Sequence, residues 1–100
     1  MSLKLLKIYF SEAQKPDVID ALLKAKVVSG FSVYAIDGFG RVHERYDISE
    51  QIRGARRMVI AEVVCEPDVI KAVEQAISTL HFKDPIRYMV HNVEDCGHWH

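Results

Sequence analysis

Two glycines and an arginine stand close together in the middle of the chain, in the stretch Gly38-Phe39-Gly40-Arg41. Glycine lets the backbone turn sharply and brings N–H groups close to a bound anion. Arginine adds a planar cation that pairs with phosphate through two parallel hydrogen bonds. A Gly-x-Gly pair also occurs in plain turns, so the phosphate-binding interpretation depends on context. That context is favourable, because the stretch follows a predicted strand and opens a long loop.

More arginines follow the glycine stretch, at positions 45, 53, 56 and 57. They either extend a local anion site or form an ordinary solvated surface. The formal net charge of the chain is -1, which argues against a generic surface for nucleic acid or an anionic membrane. Any cationic site is therefore expected to be local.

The end of the chain carries a second group of chemically active residues, Cys96, His98 and His100. Sulfur and imidazole ligands in this Cys-x-His-x-His spacing suit zinc or copper. A metal site also needs a fourth ligand and supporting hydrogen bonds, which a chain end supplies poorly. We therefore predict no firm metal site, and a tail that is mobile or packed against a neighbour is the alternative.

The sequence contains neither a Gly-x-Ser-x-Gly nucleophile motif nor a metal-hydrolase motif. The acidic residues Glu44, Asp47 and Glu50 are explained as charges that solvate a loop. We therefore predict that the protein is not an enzyme.

Length and composition indicate one domain over residues 1–100, because the chain has 100 residues, 49% of them hydrophobic. The first residues lack a signal-peptide pattern, and no apolar run approaches the ~18 residues of a membrane span. The expected location is the cytoplasm, without insertion into a membrane. In a reducing compartment Cys65 and Cys96 are more readily explained as thiols than as a disulfide.

Hydrophobic periodicity predicts strands at 3–10, 31–36, 58–65 and 86–93, with helices beginning at Pro16 and Pro67. Residues 37–55 form the long loop, and residues 94–100 form a tail. The order β-α-β-β-α-β predicts an α+β, ferredoxin-like fold, in which two helices cover one face of an antiparallel sheet. Tyr9, Tyr34 and Tyr88 are expected on the other face, which a neighbouring subunit would cover.

The chain resembles the PII signalling superfamily, whose members carry a Gly-Phe-Gly-Arg stretch at this point. The resemblance extends to Asp17-Val18 and Ala21-Leu22 in the first helix, Gly30 before the second strand, and Glu62-Val63-Val64 with Pro67-Asp68. It implies a homotrimer that binds adenine nucleotides in clefts between subunits, with residues 38–55 as a short T-loop.

The resemblance also implies roles for single residues. Ser32 matches a position near the adenine, Gly38, Gly40 and Arg41 match the phosphate-side turn, and Glu62 and Val64 match backbone contacts to the base. The glycine- and lysine-rich B-loop of PII is replaced by residues 81–85, so ADP or AMP is the expected ligand rather than a triphosphate with magnesium. Carbon-responsive members of the superfamily also make bicarbonate a candidate ligand.

Two neighbouring groups of the superfamily compete for this sequence. Ile86-x-Tyr88 followed by Gly97-His98 is similar to PII-like proteins that accompany bicarbonate transporters. Residues 50–54, Glu-Gln-Ile-Arg-Gly, are similar to small PII-like domains found beside heavy-metal efflux genes. The predicted function is thus a nucleotide-binding regulator of a membrane transporter, with inorganic carbon as one candidate cargo. The alternative is a metal-binding accessory protein of a heavy-metal tolerance system.

Overall fold

The structure is a computed structural model, and it describes residues 2–40 and 55–100. The predicted contributions of Arg41, Arg45, Arg53 and most of the 38–55 loop therefore lie outside the described residues. The elements are strands β1 (Lys4–Ser11), β2 (Ser32–Gly38), β3 (Arg56–Cys65) and β4 (Arg87–Asn92), helices α1 (Lys15–Lys24) and α2 (Pro67–Ser78), and a 3-10 turn (Glu12–Gln14) between β1 and α1.

The four strands form one sheet in the order β2-β3-β1-β4, and each neighbouring pair is antiparallel. Both helices contribute side chains to a core on one face of this sheet. The predicted α+β, ferredoxin-like arrangement is confirmed. None of the helices in the described residues is long and apolar enough to cross a membrane.

The junction between β1 and α1 is fixed by reciprocal hydrogen bonds between Ser11 and Gln14. The Gln14 backbone N–H donates to the Ser11 hydroxyl at 3.3 Å, and the Ser11 N–H donates to the Gln14 side-chain oxygen at 2.8 Å. This capping box satisfies two backbone donors that the start of a helical segment leaves unpaired. Pro16 and Asp17 then occupy the first turn of α1, where a fixed φ and a negative charge both favour the helix.

Alternate residues of the two central strands point to the helices and form the core. On β1 these are Leu6, Ile8 and Phe10, each no more than 3% exposed. They meet apolar side chains of β3 and of both helices. The buried core residues in those elements are Val59, Ala61, Val63 and Cys65 on β3, Val18 and Leu22 on α1, and Val73 on α2.

One predicted position is wrong. Tyr88 pairs with Ile8 in the register of β4 against β1, so it lies on the helix face and not on the open face. There it lines an apolar groove of about 230 Å³ with Ile70 and Ile77 of α2. Tyr9 and Tyr34 do lie on the open face, because Tyr9 and Tyr34 both pair with Ile60.

Strands β2 and β3 are longer than the sequence pattern predicts. β2 continues to Gly38 and β3 begins at Arg56, and these two residues pair with each other. The additional pairs between β2 and β3 extend the sheet into Asp37 and Gly38, which the sequence pattern predicts to be part of the loop. The predicted glycine turn therefore begins at the very end of a paired strand.

Burial of neighbouring leucines on α1 gives a direct test of the packing. Leu22 is 1% exposed and Leu23 is 68% exposed. Leu22→Ala should lower the free energy of unfolding by about 2–5 kcal/mol, because it removes buried methyl groups and leaves a cavity. Leu23→Ala on the same helix should change it by less than about 0.5 kcal/mol. Urea denaturation followed by circular dichroism measures both, and equal losses would contradict the described orientation of α1.

Candidate functional site

The first half of the candidate site consists of Gly38, the last residue of β2, and Gly40, which are predicted to form a phosphate-side turn. Gly38 is tightly packed, since a Cβ atom there would lie 3.1 Å from the Met58 Cγ and 3.5 Å from the Arg56 backbone oxygen. Gly40 follows two residues later and is exposed. A side chain at position 38 would therefore require the Met58 side chain to shift slightly.

An ion pair lies at the same end of the sheet. The Arg56 Nη2 atom is 3.3 Å from the Asp84 Oδ2 atom, and the Arg56 side chain is 18% exposed. The side-chain amide of Gln14 donates a hydrogen bond of 3.1 Å to the backbone oxygen of Asp84. Asp84 therefore connects the loop between α2 and β4 to the start of β3 and to the 3-10 turn that follows β1.

The sequence analysis missed this connection. In the sequence Arg56 belongs to the cations that follow the glycine stretch, and Asp84 belongs to the segment 81–85 that replaces the B-loop. The two residues are 28 positions apart, and no local spacing relates them. The same α2–β4 loop holds His81 at a φ of 51°, in the left-handed region that favours glycine.

Room for a polar ligand exists beside the glycine turn. A cleft of about 400 Å³ is lined by residues that include Lys15, Asp37 and Arg57, so charges of both signs face it. Arg57 also lies 3.8 Å from Glu12 across the surface. This exposed pair contributes little to stability because water screens it.

The second half of the candidate site lies at the opposite end of β2. Ser32 is the first residue of that strand and pairs with Glu62 of β3. Val64 is two residues further along β3, on the same face, and is 43% exposed. Lys7 of β1 pairs with Glu62 from the other side. All these positions lie on the open face of the sheet.

Tyr34 interacts with Glu62 within this second half. Its phenol donates a hydrogen bond to the Glu62 carboxylate, which raises the pKa of Tyr34 to about 12, with smaller contributions from partial desolvation and from the nearby charge. The cause is that an ionised Tyr34 could no longer donate this hydrogen bond, and its phenolate would be repelled by the negative charge of Glu62. The sequence pattern predicts that Tyr34 lies on the open face, but it does not reveal the hydrogen bond with Glu62.

The structure therefore brings the predicted site residues together in two groups rather than one. Ser32, Glu62 and Val64 lie at one end of the sheet, and Gly38 and Gly40 lie at the other. Gly38 lies six positions after Ser32 along the extended strand, which corresponds to roughly 20 Å. This distance exceeds the length of an extended ADP molecule.

The cysteine and histidine tail forms no described metal centre. Among residues 2–40 and 55–100, no three or more His, Cys, Asp or Glu side chains are grouped so that they could hold a metal ion. Cys96 is exposed, whereas Cys65 is buried in the core, where desolvation raises the pKa of its thiol. Trp99 is fully exposed.

Comparison with known proteins places the chain in a recognised group. A family model described as "Protein of unknown function (DUF3240)" matches residues 1–100. No curated protein matches the chain. Among solved structures, a DUF3240 family protein from Shewanella baltica OS155 is similar, with a TM-score of 0.79 and 23% identity over 100% of this chain and 99% of that chain.

Two further similar structures are of CPII, a nitrogen regulatory PII-like protein from Thiomonas intermedia K12. In one it is bound to ADP, AMP and bicarbonate, with a TM-score of 0.69 and 17% identity over 93% of this chain and 91% of that chain. In the other it is bound to ADP, AMP and acetate, with a TM-score of 0.66 and 15% identity over 92% of this chain and 86% of that chain. The chain thus has a PII-like fold.

The hydrogen bond between Tyr34 and Glu62 predicts that the phenol of Tyr34 ionises at an unusually high pH. The phenolate absorbance of Tyr34, isolated as the difference between wild type and Tyr34→Phe, should appear at a pH of about 12 rather than at 10. Glu62→Gln should lower this pKa toward 10, because a neutral amide accepts a weaker hydrogen bond than the carboxylate and carries no negative charge. The folded protein holds the phenol proton of Tyr34 more tightly than the unfolded chain does. The contribution of this hydrogen bond to the free energy of unfolding should therefore be complete below pH 10 and be lost as the pH rises through 12. A Tyr34 pKa near 10 in the wild type would contradict the described hydrogen bond.

Proposed function

The chain belongs to the DUF3240 family, and we propose that it is a PII-like regulator that binds an adenine nucleotide, ADP or AMP, between two copies of the chain. The observation that carries this proposal is the division of the site residues into two groups at opposite ends of β2. A single nucleotide contacts both groups if one copy supplies the glycine turn and its neighbour supplies Ser32, Glu62 and Val64. The ligands of CPII support the choice of nucleotide.

The open face of the sheet supports the proposal that the protein forms a homotrimer. Tyr34, Val64 and Met89 lie on this face and are between 38% and 43% exposed. A small domain buries a limited core, and an apolar patch of this kind favours association. Closed cyclic symmetry repeats one interface around the ring, so three copies would form three identical clefts.

The phosphates would lie at the glycine turn. Backbone N–H groups near Gly40 would donate to phosphate oxygens, and Arg41, the next residue in the sequence, would add a charge-assisted contact. The α2–β4 loop lacks the glycines and most of the lysines of a phosphate-wrapping loop, which favours ADP or AMP. A small anion such as bicarbonate would use the same kinds of donor.

Regulation would use the 38–55 segment, which begins at the nucleotide turn. A ligand changes the affinity of this segment for a partner only if it binds two states of the segment unequally. The proposed partner is a membrane transporter, with an inorganic-carbon transporter as one candidate, and the proposed site of action is the cytoplasm. In this role the protein binds ligands and does not catalyse a reaction.

The nucleotide proposal predicts different effects for two substitutions in the glycine turn. Arg41→Ala should weaken the binding of ADP and AMP by roughly ten- to a hundredfold, because a charge-assisted contact is worth ~1.5–3 kcal/mol. Gly40→Val should abolish binding, because its branched side chain restricts the backbone and fills the space a phosphate needs. Raising the salt concentration should weaken wild-type binding. Isothermal titration calorimetry at two ionic strengths measures all three effects.

The assembly serves as the control for these variants. Light scattering should give a trimer for the wild type, Arg41→Ala and Gly40→Val, because both variants keep the apolar side chains of the open face. The proposed function is wrong if the wild type releases no heat with either nucleotide up to millimolar concentration. It is also wrong if Arg41→Ala binds as tightly as the wild type, or if the protein is a monomer at micromolar concentration.

A further inference from the structure

The chain has a single tryptophan, Trp99, which lies in the tail after β4 with its side chain fully exposed. Among the described residues, the backbone hydrogen bond nearest to the chain end runs from the Val93 N–H to the Leu3 oxygen at 3.1 Å. Residues 94–100 beyond it are all exposed. A tryptophan side chain that packs against protein buries about 150–250 Å² of surface, and tryptophan is highly buried on average. The exposure of Trp99 in one copy therefore favours a second copy that covers it.

An apolar groove lies on the helix face of the sheet, between α2 and β4. Its walls include Ile70 and Ile77 of α2, Ile86 just before β4, and Tyr88 of β4, and Glu74 of α2 borders it. The groove has a volume of about 230 Å³. Pockets for drug-sized ligands usually measure about 300–1,000 Å³. This groove is therefore better matched to one large aromatic side chain than to a nucleotide.

The tail leads away from the groove of its own copy. β4 ends at Asn92, four positions or roughly 13 Å beyond Tyr88 along the strand. The hydrogen bond of Val93 continues the pairing with β1 in the same direction. Trp99 follows Asn92 by seven positions, which gives an extended reach of roughly 24 Å. The tail is thus long enough to reach a neighbouring copy.

The groove also borders the proposed contact between copies. β4 is an edge strand of the sheet, and its successive residues face opposite sides. Tyr88 lies in the groove on the helix face, and Met89 lies on the open face, which a neighbouring copy is proposed to cover. A copy that is seated on the open face at Met89 therefore lies beside the groove.

We propose that Trp99 of one copy inserts into the apolar groove between α2 and β4 of a second copy. His98 and His100 flank Trp99 in the sequence and lie at the rim of the groove in this arrangement. There the Glu74 carboxylate accepts a hydrogen bond from an imidazole N–H. The inference goes beyond the proposed function, because it needs association between copies but no nucleotide.

The experiment uses the fluorescence of Trp99, the only tryptophan in the chain. Tyr88→Glu keeps Trp99 and places a charge in the groove, at a position that is 62% exposed and so outside the core. Trp99→Ser keeps the groove and has no tryptophan. Tyr88→Glu refolded alone should show the red-shifted emission of a tryptophan in water. Refolding it with an excess of Trp99→Ser should shift this emission to the blue and lower its quenching by acrylamide several-fold, because its tail then enters intact grooves.

Two further variants control for folding and for charge. Ser78→Arg, at an exposed position that also lines the groove, should expose Trp99 as Tyr88→Glu does. Leu23→Glu adds the same charge at an apolar position that is 68% exposed and lies on α1, outside the groove. Its emission should stay blue-shifted, like that of the wild type. Circular dichroism checks that each variant folds.

Different outcomes overturn the inference and the proposed function. If the emission of folded Tyr88→Glu does not change when it is refolded with Trp99→Ser, Trp99 does not enter a second copy and the inference is wrong. It is also wrong if Trp99 of the wild type is as accessible to acrylamide as that of Tyr88→Glu, or if Leu23→Glu exposes Trp99 equally. Each of these results leaves nucleotide binding untouched. A mixture that shifts to the blue supports the inference even if calorimetry detects no nucleotide binding, whereas a monomer in light scattering overturns both.

Discussion

The pairing of β2 with β3 along its whole length is the constraint on which the candidate site depends. Ser32 pairs with Glu62 at one end, and Gly38 pairs with Arg56 at the other. An extended strand neither shortens nor bends enough to bring its ends together, so the two groups of site residues stay roughly 20 Å apart in each copy. A ligand shorter than this separation reaches both groups only if two copies each supply one of them. The assembly is therefore part of the proposed site and not an addition to it.

The two faces of the sheet have different roles: the helix face stabilises the fold, and the open face is proposed to form the contact between copies. The helix face holds the closely packed core, in which Phe10 and Leu22 are each 1% exposed. The open face carries a row of aromatic and aliphatic side chains in which Ile60 is buried between Tyr34 and Tyr9, while Tyr34 stays 38% exposed. Arg87 stacks on the ring of Tyr9, with its guanidinium carbon 4.2 Å from the ring centre. Such a stacked cation adds a favourable electrostatic contact while it covers apolar surface. This face is thus ordered within one copy and still presents apolar surface to another.

The sequence was sufficient for the order of elements and insufficient for contacts between them. Proline at the first turn of each helix and alternating apolar residues in the strands are local signals, and the fold that they predict is confirmed. The face of Tyr88 depends instead on the register of β4 against β1, which a one-residue shift would reverse. The pairs Arg56–Asp84 and Tyr34–Glu62 join residues 28 positions apart, so the fold alone makes them neighbours. For the same reason the sequence does not show that the predicted site residues fall into two separate groups.

The most direct test of the shared site is a mixing experiment with two defective variants. Gly40→Val blocks the turn, and Ser32→Phe blocks the base side of the cleft with a bulky side chain. Each variant alone should form trimers that bind no ADP. In trimers refolded from an equal mixture, about one quarter of the clefts should combine an intact turn from one copy with an intact base side from its neighbour, and these should bind ADP with wild-type affinity. Mixed trimers that bind no ADP, although wild-type trimers refolded in the same way do, would contradict a site shared between copies.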